Sequence, residues 1–232
     1  MLDLHGYGPQ ILEGTRLTVE VALLSLAIAV LLGITGALGK LSRSRPVRAV
    51  ASVYTTLIRG VPDLVMMLLL FFGGQQLVNQ LGPLVGYEDY IDVNPFVAGV
   101  LTIGFIYGAY MTETFRGAIL AVPAGQLEAG RAYGMRGSQV FARILLPQMM
   151  RHALPGLGNN WLVLLKTTAL VSVIGLDDMV RKASLAGGAT REPFTFWIVI
   201  ALIYLLLTTV SVLALGWAER HYGRAYGAAR PA

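Results

Sequence analysis

Five ionisable side chains stand inside otherwise apolar stretches: Glu20, Arg59, Asp63, Glu113 and Lys166. A charge in hydrocarbon costs a few kcal/mol, so each calls for an ion partner, a wet cavity or a ligand. The chemistry on offer is therefore binding and pairing. No nucleophile, base and orienting group fall together, and His5, His152 and His221 lack metal-ligand spacing. With no cysteine, disulfides, thiolate nucleophiles and Cys-ligated metals are excluded. A phosphate loop of the form Gly-x-x-x-x-Gly-Lys-Ser/Thr is also absent, so nothing in the chain would hydrolyse ATP.

Arg59 and Asp63 are four residues apart and would face each other on an unbroken helix, but Gly60 and Pro62 intervene. Pro62 suits the N1 position of a new half-helix, whose free N–H groups and positive dipole end would lie deep in the membrane. Such ends bind substrate carboxylates in transporters. The alternative is a proline kink closed by an Arg59–Asp63 ion pair. Glu113 either pairs with Arg116 three residues on or faces a path for a cationic substrate. Lys166, with Thr167 beside it, either pairs with a carboxylate at a helix interface or lines that path. Glu20 is expected to pair with Arg16.

These residues need membrane helices to hold them. Of 232 residues 55% are hydrophobic and 13% charged, about half the charge of an ordinary soluble domain, and mean hydropathy is +0.64. Five spans are predicted, at about 17–38, 50–81 (interrupted at 60–63), 96–115, 154–174 and 194–217. The reading is an all-α integral membrane protein, one domain over 1–232. Its leader lacks a basic region ahead of the first apolar run, so no cleavable signal is expected.

Lysines and arginines give the orientation. One side collects twelve: Lys40, Arg43, Arg45, Arg48, Arg116, Arg131, Arg136, Arg143, Arg151, Arg220, Arg224 and Arg230. The other has three, Arg181, Lys182 and Arg191, and the connection carrying Glu88, Asp89 and Asp92 has no base. The N-terminus is therefore expected outside and the C-terminus in the cytoplasm. The net charge of +5 follows membrane topology, and no nucleic-acid partner is expected.

The long basic connection, about 118–150, has its own grammar. Pro123 can open a helix at N1, Gly134 suits a left-handed helix end, Ser138 can cap the next piece, and Pro147 is expected to stop it. The small residues Ala129, Gly130 and Ala132, flanked by Glu128 and Arg131, make a flat surface that can seat in a partner's groove. An amphipathic hairpin against lipid head groups is the alternative.

The pattern Glu-Ala-Ala, three residues, Gly, nine residues, Ile-x-Leu-Pro is the EAA loop of the permease subunits of bacterial ABC importers. This chain matches it at Glu128, Ala129, Gly134, Ile144, Leu146 and Pro147, with Gly130 in place of the second alanine. Residues 54–65, 104–118, 156–161 and 165–172 resemble the HisQ-type permeases for polar and basic amino acids. The resemblance implies a type I ABC importer permease fold in the bacterial inner membrane. It implies transport of histidine, lysine, arginine or ornithine by alternating access, with Glu128, Ala129, Gly130, Arg131 and Gly134 coupling to an ATPase. Implied partners are a HisM-like permease subunit, two HisP-like ATPase subunits carrying ATP and Mg, and a periplasmic amino-acid-binding protein. Within the path, Arg59, Gly60, Pro62, Asp63, Glu113, Lys166 and Thr167 are the candidates. A permease for opines is the near alternative, and an ATP-independent channel or secondary transporter the distant one.

Overall fold

The computed structural model describes residues 4–87 and 89–224. Glu88 and Arg230, which enter the charge count, and the leader residues Met1, Leu2 and Asp3 lie outside that set. The described residues are helical with no strand: α1 Gly8–Lys40, α2 Arg45–Gly60, α3 Asp63–Leu81, α4 Pro95–Leu120, α5 Ala124–Ala132, α6 Gly137–Val140, α7 Leu146–Thr167, α8 Met179–Thr190 and α9 Pro193–Arg224. Proline stands in the first turn of α1, α2 and α4, where its missing N–H costs nothing. Asn94 caps α4, its side chain accepting from Phe96 N–H at 2.8 Å.

α4 is the axis of the bundle. It packs on α1, α2, α3 and α7 and buries residues around much of its circumference, among them Ile103, Ile106, Tyr107, Met111 and Phe115. Small residues let α1 approach it closely, since a Cβ on Gly33 would lie 2.6 Å from Met111 Cβ. α9 is the opposite case. Only Phe196 and Ile200 are buried along it among the described residues. Val199, Ile203, Tyr204 and Leu207 are half-buried against the bundle, while Leu202, Leu205, Leu206, Val210, Leu213 and Trp217 face outward, as on a helix bathed in lipid or covered by another subunit.

Four helical stretches among the described residues are long and apolar enough to cross a membrane: Gly8–Lys40, Asp63–Leu84, Pro95–Leu120 and Pro193–His221. The fourth expected span, about 154–174, corresponds to α7 and is less apolar, because Arg151, His152, Asn159, Asn160 and Lys166 lie along it. It also starts earlier than predicted. Pro147 does not stop the preceding piece: a π turn over Phe141–Leu145 joins α6 to α7. The wider turn shifts the hydrogen bond to Leu146 N–H onto the Phe141 carbonyl, and the helix runs on through the proline. The predicted span ending at 174 finishes as α7 followed by a 3₁₀ turn, Thr168–Ser172.

The interrupted second span resolves into two helices. α2 is amphipathic, and α3 carries the apolar length. The connection to α4 is held by two amides of α3. Gln75 Oε1 accepts from Val93 N–H at 2.8 Å, and Asn79 Oδ1 accepts from Ile91 N–H at 2.8 Å.

Candidate functional site

The break between α2 and α3 is two residues long. Val61 is extended (φ −112°, ψ 137°), and Pro62 occupies the N-cap of α3, one position earlier than predicted, with Asp63 as its first helical residue. The extended pair takes Arg59 and Asp63 off a common face, and the ion pair considered above does not form. Instead the Arg59 guanidinium lies 5.5 Å above the ring of Tyr110, a cation–π contact. Asp63 Oδ2 accepts from the Tyr107 hydroxyl at 3.2 Å. Tyr107 stands at the midpoint of α4, twelve residues from Pro95 and thirteen from Leu120, so the break sits at mid-depth of the bundle. No side chain caps the start of α3, and its first N–H groups stay available.

Tyr107 also reaches Thr167 at the end of α7, with 2.6 Å between the hydroxyl oxygens. Thr167 in turn donates to the Val163 carbonyl at 3.1 Å. Three helices thus meet at one phenol. Asp63 is half-buried, whereas Tyr107 is 2% and Thr167 9% exposed, so the carboxylate is the reachable end of this chain. Lys166 takes no part in it. It is exposed and forms no ion pair among the described residues, contrary to the expected interfacial pairing.

Glu113 is held more firmly than its neighbours in sequence indicate. It accepts from Arg116 Nε at 3.1 Å, the expected i,i+3 contact, and also from Lys40 Nζ at the end of α1. Lys40 donates further to Thr55 Oγ1 at 2.7 Å, so one carboxylate ties α1, α2 and α4 together. With Arg59, Gly60, Thr56 and Tyr110 this node lines an open polar pocket of about 510 Å³. The expected Arg16–Glu20 pair is present at 2.7 Å.

Away from this path, Asp178 caps α8, its Oδ1 accepting from Arg181 N–H at 2.9 Å. It is fully buried, and its second oxygen has no hydrogen-bond partner among the described residues. Burial pushes its carboxyl up to about 6, against the hydrogen bond from Arg181 N–H, which pulls the other way. A raised carboxyl favours the folded state most below the unfolded value near 3.8, and the advantage is lost as pH rises through about 6. Asp178→Asn keeps the cap and removes the buried charge. It is expected to raise the melting temperature of the detergent-solubilised protein above pH 6 and to flatten its pH dependence between about 4 and 6. An unchanged pH profile would contradict this assignment.

The polar loop forms a compact unit. α5 starts after Pro123, which is its N-cap and not its N1 residue. Gly134, at φ +78°, ends it in the left-handed region. Met135 N–H bonds to the Gly130 carbonyl at 3.1 Å and Gly134 N–H to the Arg131 carbonyl at 2.9 Å, the paired bonds of a Schellman end. Ser138 does not cap α6. Gln139 Oε1 accepts from Arg136 N–H at 2.9 Å instead. Glu128, Ala129 and Arg131 are exposed, and Tyr133 is 88% exposed at the tip.

Gly130 is the buried member of this helix. A Cβ there would lie 2.5 Å from Ile144 Cδ1, so the isoleucine of the same motif already fills the place an alanine methyl would take. Gly130→Ala gains about 1 kcal/mol of helix propensity but must displace a terminal methyl that can rotate away. The net change in stability is expected within about 1 kcal/mol, with uptake retained. Loss of uptake in that variant would show that Ile144 cannot yield.

Residues 29–224 match the family described as binding-protein-dependent transport system inner membrane component. Over 219 residues the chain is 54% identical to the histidine/lysine/arginine/ornithine transport system permease protein HisQ of Escherichia coli (strain K12), covering 94% of this chain and 96% of that protein. It is 44% identical over 223 residues to the octopine transport system permease protein OccQ of Rhizobium meliloti, covering 94% of each. Among solved structures, the crystal structure of an amino acid ABC transporter with histidines superposes with a TM-score of 0.79 at 36% identity, covering 93% of this chain and 95% of that one.

Proposed function

This chain belongs to the binding-protein-dependent transport system inner membrane components, and from that premise we propose that it admits cationic amino acids of the histidine, lysine, arginine and ornithine class. It is a multi-pass inner-membrane permease of an ABC importer, a translocation subunit and not an enzyme. The observation that carries the substrate class is the 54% identity to HisQ over 94% of the chain; the opine permease is more distant at 44%. The whole chain, 1–232, acts as one permease domain, its N-terminus outside and its C-terminus in the cytoplasm.

The chemistry at the α2–α3 break suits a cationic amino acid. Asp63 is a half-buried carboxylate for its ammonium or guanidinium group. The uncapped N–H groups of α3 and the Arg59 guanidinium offer donors for its carboxylate. Gly60 keeps the approach open, since no atom lies within 4 Å of where its Cβ would stand. Glu113 is committed to Lys40 and Arg116, and Thr167 closes the hydroxyl chain that begins at Asp63. On the cytoplasmic side, Glu128, Ala129, Gly130, Arg131 and Gly134 form the face that receives the ATPase. A HisM-like permease subunit completes the pore, two HisP-like subunits carry ATP and Mg, and a periplasmic binding protein delivers substrate. Loaded binding protein outside and ATP-driven ATPase closure inside favour opposite orientations of the permease pair, which gives alternating access.

An uptake panel tests the substrate class. Cells expressing the complete transporter are expected to accumulate histidine, lysine, arginine or ornithine in preference to octopine. Preference for octopine would move the chain to the opine permeases.

A further inference from the structure

We propose that Tyr107 is a hydroxyl relay that couples occupancy of Asp63 to the hydrogen bonding at the end of α7, and so acts as a positioning residue for transport. The proposal rests on the reading that Asp63 meets the substrate's cationic group.

Protons are fewer than the contacts they must fill. The Asp63–Tyr107–Thr167–Val163 chain has three contacts, at 3.2, 2.6 and 3.1 Å, but only two hydroxyl protons to fill them. The ionised carboxylate and the Val163 carbonyl can only accept. Placing both protons on the outer contacts would leave two hydroxyl oxygens facing each other at 2.6 Å with no proton between them, so two arrangements fill that shortest contact. In the first, Tyr107 donates to Asp63 and Thr167 donates to Tyr107, leaving Val163 without the side-chain donor. In the second, Tyr107 donates to Thr167 and Thr167 to Val163, leaving Asp63 without its phenol. No proton leaves its oxygen in passing between them; both hydroxyls rotate.

A cation arriving at Asp63 supplies the donor that the second arrangement lacks. It displaces Tyr107, whose proton turns to Thr167, and Thr167 turns onto its own helix. Empty Asp63 favours the first arrangement, because an ionised carboxylate is the stronger acceptor. Burial makes the exchange consequential. Tyr107 is 2% exposed and Thr167 9%, so water does not readily replace a missing partner. The far end of the relay is placed to be read. Thr167 is the last residue of α7 before the 3₁₀ turn, and α7 is continuous through the π turn with the segment carrying Ile144, which rests on Gly130 of α5.

Two near-isosteric substitutions separate this relay from a passive packing role, because they push substrate binding in opposite directions. Tyr107→Phe removes the group that competes with substrate for Asp63, and arginine should bind more tightly. Thr167→Val leaves Tyr107 only Asp63 as acceptor, so arginine must strand a buried hydroxyl and should bind more weakly. Thr167→Ser keeps the relay and should match the unaltered protein. Each shift is expected at about tenfold, one hydrogen bond to a charged group.

The measurement is equilibrium binding of radiolabelled arginine to the purified permease–ATPase complex without binding protein, on variants eluting as intact complexes. Asp63→Asn is measured alongside and should weaken binding by more than tenfold. If Asp63→Asn weakens binding but the Tyr107 and Thr167 variants shift it the same way, or not at all, the relay is wrong and the Asp63 reading stands. If arginine does not bind the unaltered complex, or binds Asp63→Asn equally well, the reading beneath the relay falls and the relay with it.

Discussion

Glu128→Lys is expected to abolish ATP-driven uptake while leaving the chain folded in the membrane. Glu128 is exposed on α5 and makes no hydrogen bond or ion pair among the described residues, so the fold loses little, within about 0.5 kcal/mol. If its carboxylate faces a groove on the ATPase, reversing the charge there costs several kcal/mol, a loss of on the order of a thousandfold in association. The check is the amount of ATPase recovered with the tagged permease, beside uptake. A variant that retains both its ATPase and its uptake would remove the coupling role from Glu128.

Glu113→Ala is expected to destabilise the bundle by about 2–3 kcal/mol. The loss falls below that of a fully buried pair, because the Lys40 and Glu113 side chains keep 15% and 22% of their surface exposed. Truncation leaves Lys40 and Arg116 facing each other without their common acceptor, and Lys40 is left with Thr55 alone. The melting temperature of the detergent-solubilised complex should fall by several degrees. The double variant Lys40→Met/Glu113→Leu should recover most of the loss, since it removes the buried ammonium and leaves unpaired only Arg116, whose side chain is 39% exposed and can be solvated. An unchanged melting temperature in Glu113→Ala would show that solvent screens the pair.

What could be read in the chain beforehand follows from the range of the interactions. Apolar length and the clustering of arginines are properties of contiguous sequence, and the spans and the polar loop between α4 and α7 were legible from them. So were contacts within one helical turn, such as Arg16–Glu20 and Glu113–Arg116. Pro147 misled because its local rule ends a helix, while the π turn before it carries α7 through. The Arg59–Asp63 ion pair failed for a related reason: two extended residues are enough to undo helical spacing.

Lys40 and Tyr107 were missed as partners of Glu113 and Asp63. Their partners are distant in sequence: Lys40 stands 73 residues from Glu113, and Tyr107 stands 44 and 60 residues from Asp63 and Thr167. Lys40 had been counted only as a loop charge. The glycines flanking Tyr107, Gly104 and Gly108, were the available signal. They mark where α1 crosses α4 closely, and a hydroxyl at such a crossing must find a partner. Gly130 looked like a departure from its motif until Ile144 supplied the missing volume.

We infer that this chain moves substrate only when an ATPase partner drives it. The direct measurement is accumulation of labelled arginine in proteoliposomes holding the purified complex, with loaded binding protein on the outer face and ATP inside. Accumulation is expected to require both ATP and the binding protein. Equal accumulation without ATP, or uptake by the chain with no ATPase subunit present, would contradict it.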